Sequence, residues 1–369
     1  MSQGRFKILV INPGSTSTKV SIFENDLELF GTIISHSRLE LEPYERVWDQ
    51  YEFRKRLIRE TLEKHDIKPR ELSAVVGRGG LFRPVVGGTY RVNQLMIEDG
   101  RMAARGEHAS NLGAVLAYGL GWDFNLPSFI VDPPSVDEFF PSARLSGLKD
   151  VPRESLFHAL NIKATARLAA AKIGKKYEEA NFVIAHLGGG ISIAAIRQGH
   201  VIDSNNALTS GPFTPERAGN ISTFALVDIC FSGKYDKKQV LKVLVGQGGL
   251  SSHLGTNDCR EVERRISEGD KDAQRVYDAM IYKICTIIGA RSVALKGEID
   301  AVILTGGMAN SDYVVARIKE WVSYLGPILV FPGQDEMKAL ALGALRILRG
   351  EEQPKTYPET AGQFGAERR

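Results

Sequence analysis

Three short glycine-bearing stretches carry residue types that hold phosphate. In INPGSTSTKVSIF (11–23), Asn12, Ser15, Ser17 and Lys19 offer an amide, two hydroxyls and an ammonium, and Gly14 lets a ligand approach backbone closely. Thr16 and Thr18, on the opposite alternation, support the turn. The pattern is not a GxxxxGK[ST] loop, because the second glycine is missing and a strand rather than a helix follows. In HLGGGIS (186–192), three glycines stand together, Gly188, Gly189 and Gly190, where a turn needs one or two. The third suggests that something approaches the backbone, and phosphate in a nest of N–H groups fits. His186, at the start of that turn, can brace it. In LTGGMANSD (304–312), Gly306-Gly307 follows an apolar run, and Asn310-Ser311-Asp312 can cap a helix. That places a loop at the carboxyl end of a strand, where open α/β sheets bind ligands and a purine or ribose could lie flat. Taken singly, each stretch also reads as plain structure: a hydroxyl-rich solvent turn, a tight hairpin, a close-packed strand–helix turn.

Strands and helices alternate along the chain, which argues for an α/β class. Apolar runs and alternation predict strands at 6–12, 18–24, 29–36, 73–77, 85–92, 128–132, 182–186, 191–197, 200–204, 299–305 and 327–331. Helical periodicity predicts helices at 44–65, 98–120, 153–173, 222–231, 237–245, 257–267, 271–296, 310–324 and 336–348. The stretch 182–204 repeats the layout of the opening one: an apolar strand ending in a polar residue, a small-residue turn, then an alternating strand with a hydroxyl near its start. Two related domains follow from this, drawn at 1–155 and 156–336, with a last helix (about 337–369) returning to the first. The tail after Arg349 is polar with scattered Pro and Gly and is expected on the surface or disordered.

A length of 369 residues agrees with two domains, and 43% hydrophobic and 25% charged residues are those of a globular chain. A net charge of +3 is too small to make nucleic acid the main partner. The mixed-sign run FRKRLIRETLEKHDIKPR (53–70) reads as a solvated helix face. Three widely spaced cysteines suggest neither disulfides nor zinc and fit a cytoplasmic location. There is no signal-peptide pattern at the start and no run of about 18 apolar residues for a membrane span.

The whole chain resembles the acetate and sugar kinase/actin superfamily of two-domain ATP-binding proteins. Within it the chain is similar to the acetate/butyrate kinase family, on its butyrate kinase branch. The resemblance is carried by VINPGSTSTKVSIF (10–23), HASNLGAVLAYG (108–119), IVDPPSVDEF (130–139), FHALNIKATAR (157–167), AHLGGGISIAA (185–195), GPFTPERAG (211–219), SHLGTNDCREVE (252–263) and LTGGMANSDYV (304–314). It implies two actin-like (ribonuclease H-like) domains around a nucleotide cleft. The implied reaction is reversible phosphoryl transfer between ATP and a short-chain carboxylate, with ADP and an acyl phosphate as products and Mg²⁺ as cofactor.

A carboxylate attacking a phosphoryl group needs positioning and charge neutralisation rather than a base, and arginine forks suit both anions. The resemblance gives those roles to Arg78 and Arg217, with Arg83 a rival to Arg78 because the family's nearby His-Gly-Gly element is not reproduced cleanly. Asp132, which ends an apolar strand before Pro133-Pro134, is implied as the catalytic or metal-orienting aspartate, and Glu336 as a second magnesium-associated acid. His158 resembles a transition-state-stabilising histidine and His108 a substrate-side residue. Val85, Val86 and Phe157 are candidates for acyl-chain contacts, or core; Asp258 and Arg260 are nucleotide-side candidates. Acetate kinases carry asparagine where this chain has Gly189, which moves the match toward butyrate or a branched relative such as isobutyrate. An acetate or propionate kinase is the rival within the class, and an actin-like ATPase without a carboxylate substrate the rival outside it. The resemblance also implies a homodimer or higher homo-oligomer; no nucleic-acid or membrane partner is expected.

Overall fold

The computed structural model describes residues 4–358. It divides into two compact units: the described residues up to Glu138 together with those from Asp335 on, and the stretch Phe139–Gln334.

The first unit is built on a six-stranded sheet of β1 (Lys7–Pro13), β2 (Ser17–Glu24), β3 (Leu27–Ser35), β4 (Ala74–Arg78), β5 (Thr89–Arg91) and β6 (Ser128–Val131), in the order β3-β2-β1-β4-β6-β5. The second holds β7 (Asn181–Leu187), β8 (Ile191–Arg197), β9 (His200–Ser204), β10 (Ala301–Gly306) and β11 (Ile328–Pro332), in the order β11-β10-β7-β8-β9. In each, an antiparallel three-strand meander is extended by parallel strands on its first member: β4 and β6 on β1, β10 and β11 on β7. The repeat seen in the sequence is thus a repeat of sheet topology. The parallel strands read as unbroken apolar runs because both faces are covered.

In the first unit the helices Tyr51–Lys64 and Asn111–Phe124 bury Ile58, Leu62, Leu112 and Leu116 against Leu9, Val20 and Val75. The Asn111–Phe124 helix comes in close: a Cβ on Gly77 would collide with the Gly113 carbonyl, and one on Gly113 with the Arg78 carbonyl. The Glu336–Leu348 helix lies over β1, β4 and β6, and its Gly343 leaves room for Val131. In the second unit the long helix Lys271–Ala294 and the helix Asp312–Val322 pack on Val183, Ala185, Val302 and Leu304. No helix among the described residues is long and apolar enough to cross a membrane.

Several expectations need correction. The division falls after Glu138 rather than at 155, because the segment behind it bonds within the second unit: Phe140 N–H donates to Ile202 O (3.1 Å) and Arg153 pairs with Asp203 (2.9 Å). The helix expected at 98–120 is two, Gln94–Met102 and Asn111–Phe124; left-handed Ala103 (φ 49°) closes the first. The strand expected at 85–92 shrinks to Thr89–Arg91. The tail is held as far as it is described. Lys355 exchanges backbone bonds with Thr89 and Arg91 (2.9 and 3.1 Å), and Tyr357 is buried with Phe82 and Tyr90. Residues 1–3 and 359–369, the latter including the rest of the tail and of the segment expected to return to the first domain, lie outside the described residues.

Candidate active site

The first unit gathers its candidate residues at the carboxyl ends of three adjacent parallel strands. Ile11 is paired with Gly77, and Arg78 with Val131, so Asn12, Arg78 and Asp132 follow side by side on β1, β4 and the exit of β6. Glu336, the first residue of its helix behind the cap Asp335, reaches the same place. Its Oε2 accepts from Asn12 Nδ2 (2.8 Å) and pairs with Arg78 Nη1. His108 lies close enough to Arg78 to feel its charge. Although much of that residue is open to solvent, the atoms crowding its ring, and then the Arg78 guanidinium, push its pKa down. Its Nδ1 accepts from the Ser110 amide (3.2 Å). Asp132 is buried and sits in the left-handed region (φ 38°), a conformation that costs a non-glycine residue about 1–3 kcal/mol. Gly88 holds it there, its N–H donating to Oδ1 (2.7 Å) and its carbonyl accepting the Asp132 N–H (3.0 Å).

Arg83 stands apart. It is half exposed and forked onto Asp99, with Nε and Nη2 at 2.7 and 2.8 Å from its two oxygens, and Asp99 raises its pKa. The guanidinium that joins Asn12 and Glu336 is Arg78. Val85 and Val86 are buried, Val85 within the cluster of Phe82, Tyr90 and Ile130; Phe157 is buried in the other unit. The three therefore form no single acyl pocket within either unit.

The β1–β2 tip is backed by a residue the sequence reading missed. Arg54, in the run read as a solvated face, is 1% exposed. Its Nη1 donates to Gly14 O (2.9 Å), Ser17 O (3.0 Å) and Thr18 Oγ1 (3.0 Å), and its Nη2 to Ser15 O (3.3 Å). Gln50 Oε1 accepts from Nε and Nη2 (3.0 and 2.8 Å). Burial pulls the Arg54 pKa down to about 10. Burial, and then the Arg54 charge, also lowers that of His36 to about 4; its Nε2 meets Thr18 Oγ1 at 2.8 Å. The available signal was spacing, since Arg54, Ile58 and Leu62 fall on one helical stripe. Ser15 is exposed, and Lys19, opposite Asn12 in the ladder, is exposed in a groove with Ser21, Ile33 and Met337.

In the second unit the β7–β8 tip is packed by the loop 211–219. A Cβ on Gly190 would collide with the guanidinium of Arg217, so the third glycine of the turn makes room for a side chain of the chain itself. Thr214, also missed, is buried; its Oγ1 donates to Gly189 O (2.6 Å) and accepts from the amides of Glu216 (3.3 Å) and Arg217 (3.1 Å). Arg217 donates from Nη1 to Ala207 O (2.5 Å) and has a buried Nε with no partner. It makes no ion pair among the described residues; burial pulls its pKa down, and the Glu216 charge opposes this only in part. His158 directly precedes the Ala159–Lys172 helix, with Nδ1 2.8 Å from Ser192 Oγ and its ring stacked on His186 (centroids 4.0 Å, 14°). His186 Nδ1 in turn meets Asn161 Oδ1 at 2.7 Å.

Behind β10, Gly306 has φ +90° and no room for a Cβ beside Leu187, whereas a Cβ on Gly307 would meet open space. Gly306 exchanges both backbone bonds with Gly333 (2.9 Å each), a partner the sequence reading did not find. Asn310 Nδ2 donates back to Gly307 O (2.9 Å), and Ser311 caps the next helix. The open backbone at Gly307, and the exposed one at Gly189, suit a nucleotide phosphate or ribose. Asp258 and Arg260 are otherwise occupied. Asp258 caps the Cys259–Ser267 helix and binds the exposed Arg260 guanidinium, which holds its carboxyl down at about 2.

No group of three or more metal-ligating side chains occurs among the described residues. Asp132 and Glu336 fit the sparser demand of Mg²⁺, which takes one or two carboxylates and completes its shell with phosphate and water.

By structure, the chain is similar to an acetate kinase from Porphyromonas gingivalis (19% identity, TM-score 0.79, 93% of this chain and 100% of that one). It is also similar to a propionate kinase from Francisella tularensis subsp. tularensis SCHU S4 (20%, 0.71, 92% and 98%) and to an acetate kinase from Entamoeba histolytica (16%, 0.73, 91% and 98%). At these identities the likeness shows the fold, a two-unit α/β fold with a mixed sheet in each unit. Residues 151–332, which hold His158, the triple-glycine turn, Arg217 and the Gly306-Gly307 turn, match the model of the Acetokinase family.

Proposed function

We propose that this chain is an acetokinase-family carboxylate kinase that moves a phosphoryl group between ATP and a short-chain acid, butyrate or a branched relative such as isobutyrate. The observation that carries the reading is Arg217: a half-buried guanidinium with an unpaired Nε and no carboxylate partner, packed against Gly190 of a glycine turn that is exposed at Gly189. Such a group is suited to a phosphoryl oxygen, whose charge in the transition state it would stabilise.

In this reading Arg78 and His108 hold the substrate carboxylate, with Asn12 and Glu336 fixing the Arg78 fork. The acid is already ionised, so no base is needed and transfer is direct and in line. Ser192 Oγ accepts from the His158 amide (3.3 Å) and lies 2.8 Å from its ring Nδ1, which fixes the imidazole that would donate to a phosphoryl oxygen. Asn12, Ser15, Ser17 and Lys19 would bind phosphate, and Gly188–Gly190, Gly306, Gly307 and Asn310 the nucleotide. Asp132 and Glu336 would hold Mg²⁺, which when bound offsets the phosphate charge.

The solved acetate and propionate kinases of like fold support a second reading, in which the preferred acid has two or three carbons. One extra methylene is worth only about 1–3 kcal/mol in an apolar pocket. An assay of kcat/KM over acids of two to five carbons, with MgATP and hydroxamate trapping, decides between them. The expected optimum is at butyrate or isobutyrate. An optimum at acetate or propionate overturns the butyrate assignment, and no hydroxamate from any acid overturns the kinase reading in favour of an actin-like ATPase.

A further inference from the structure

We propose that Arg54 is a positioning residue that builds an anion site at the β1–β2 tip by turning the amides of Ser15 and Thr16 outward. The inference rests on the phosphate reading of this hairpin and adds the device that makes it work.

The argument is one of peptide geometry. In a trans peptide the carbonyl of one residue and the N–H of the next point in opposite directions. Arg54 draws the carbonyls of Gly14 and Ser15 inward, onto Nη1 and Nη2. The N–H groups of Ser15 and Thr16 are therefore aimed away from the protein interior. Both residues are exposed, and neither amide has a hydrogen-bond partner among the described residues. Two successive outward amides form an anion-binding concavity.

The charge points the same way. A buried cation without a counter-ion is costly. Arg54 makes no ion pair among the described residues; its charge is met only by carbonyl, hydroxyl and amide oxygens. An anion settling on the Ser15 and Thr16 amides would supply the missing opposite charge across one layer of peptide. Arg54 cannot touch that anion, since the hairpin lies over it, so its effect passes through backbone. Lysine could carry the charge but not the fork that reaches several acceptors at once.

The test combines amide exchange with kinetics on the full chain. MgATP is expected to slow exchange at Ser15 and Thr16 in the unaltered protein. In Arg54→Met that protection is lost and KM for ATP rises about tenfold or more, while KM for the carboxylate stays within about twofold. Arg54→Lys recovers only part of the loss. A folded Arg54→Met protein with unchanged protection and unchanged KM for ATP overturns the proposal. Should Arg54→Met not fold, Gln50→Leu removes the two bonds that orient the guanidinium, and an unchanged KM for ATP there counts against it equally. If the unaltered protein makes no acyl hydroxamate from any acid, the kinase reading fails, yet exchange at Ser15 and Thr16 with MgATP still decides the clamp. Absence of protection in the unaltered protein overturns the anion site itself.

Discussion

The two hairpin tips share a layout and differ in construction. At the β1–β2 tip, the supporting cation lies behind the turn, and inward carbonyls hold it. At the β7–β8 tip, the cation lies alongside: Arg217 rests on Gly190, and Thr214 takes the carbonyl of Gly189. The first tip therefore needs hydroxyl side chains and one glycine, the second needs backbone with nothing on it. A cation sealed behind a turn can act on a ligand only through the peptide. A cation beside a turn, with an unpaired Nε, can act on it directly. Repetition of the sheet thus does not carry repetition of the tip, because ladder hydrogen bonds set the first and side-chain packing sets the second.

The contrast can be broken experimentally. The largest effect is expected from Arg217→Ala, which should lower kcat by about 10³ while weakening ATP binding far less, as for loss of a transition-state donor. Single-turnover kinetics alongside a nucleotide-binding titration would check it, and an unchanged kcat removes Arg217 from the site. Next come paired glycine changes. Gly190→Ala must push the guanidinium aside and should cost about 10²-fold in kcat, whereas at Gly14 a Cβ meets only Ser17 atoms at 3.5 Å and alanine should stay within about twofold. Equal losses at both would erase the distinction between the tips.

The smallest effect concerns pH. The His36 pKa is lowered from 6.5 to about 4, first by burial and then by Arg54, so the folded protein resists a proton that the unfolded chain accepts. The stability from keeping this ring neutral is present above about pH 6.5 and is lost as pH falls toward 4, by about 1–2 kcal/mol. Melting temperatures across that window should drop, and His36→Gln should flatten the drop.

Much of the fold could be read from the sequence, since apolar runs, alternation and glycine turns mark most strands and both hairpins. The gathering of candidates was legible where a residue's type matched its place: Asn12, Arg78 and Asp132 lie at the carboxyl ends of three neighbouring strands, and Glu336 begins a helix that reaches them. Arg54 was not, because a charge in a mixed-sign run signals solvent, and only its spacing from Ile58 and Leu62 betrays burial. The third glycine of the triple turn marks a close approach, and one group that makes it is Arg217. Asp258 and Arg260 show how a cap and a candidate site draw on the same side chains. Tail residues such as Tyr357 defied composition, since one buried ring can anchor a polar stretch.

The chain order of the first unit has a consequence for synthesis. That unit takes the described residues up to Glu138 and those from Asp335 on, whereas the second is one continuous stretch. During translation the continuous stretch can close its sheet as soon as β11 has emerged. The first must wait, its sheet lacking the helix that covers β1, β4 and β6 and its arginine lacking Glu336. The carboxylate that steadies Arg78 is thus among the later parts to be made, and a chain stopped before residue 335 would carry both glycine turns of the second unit but an unfinished first one.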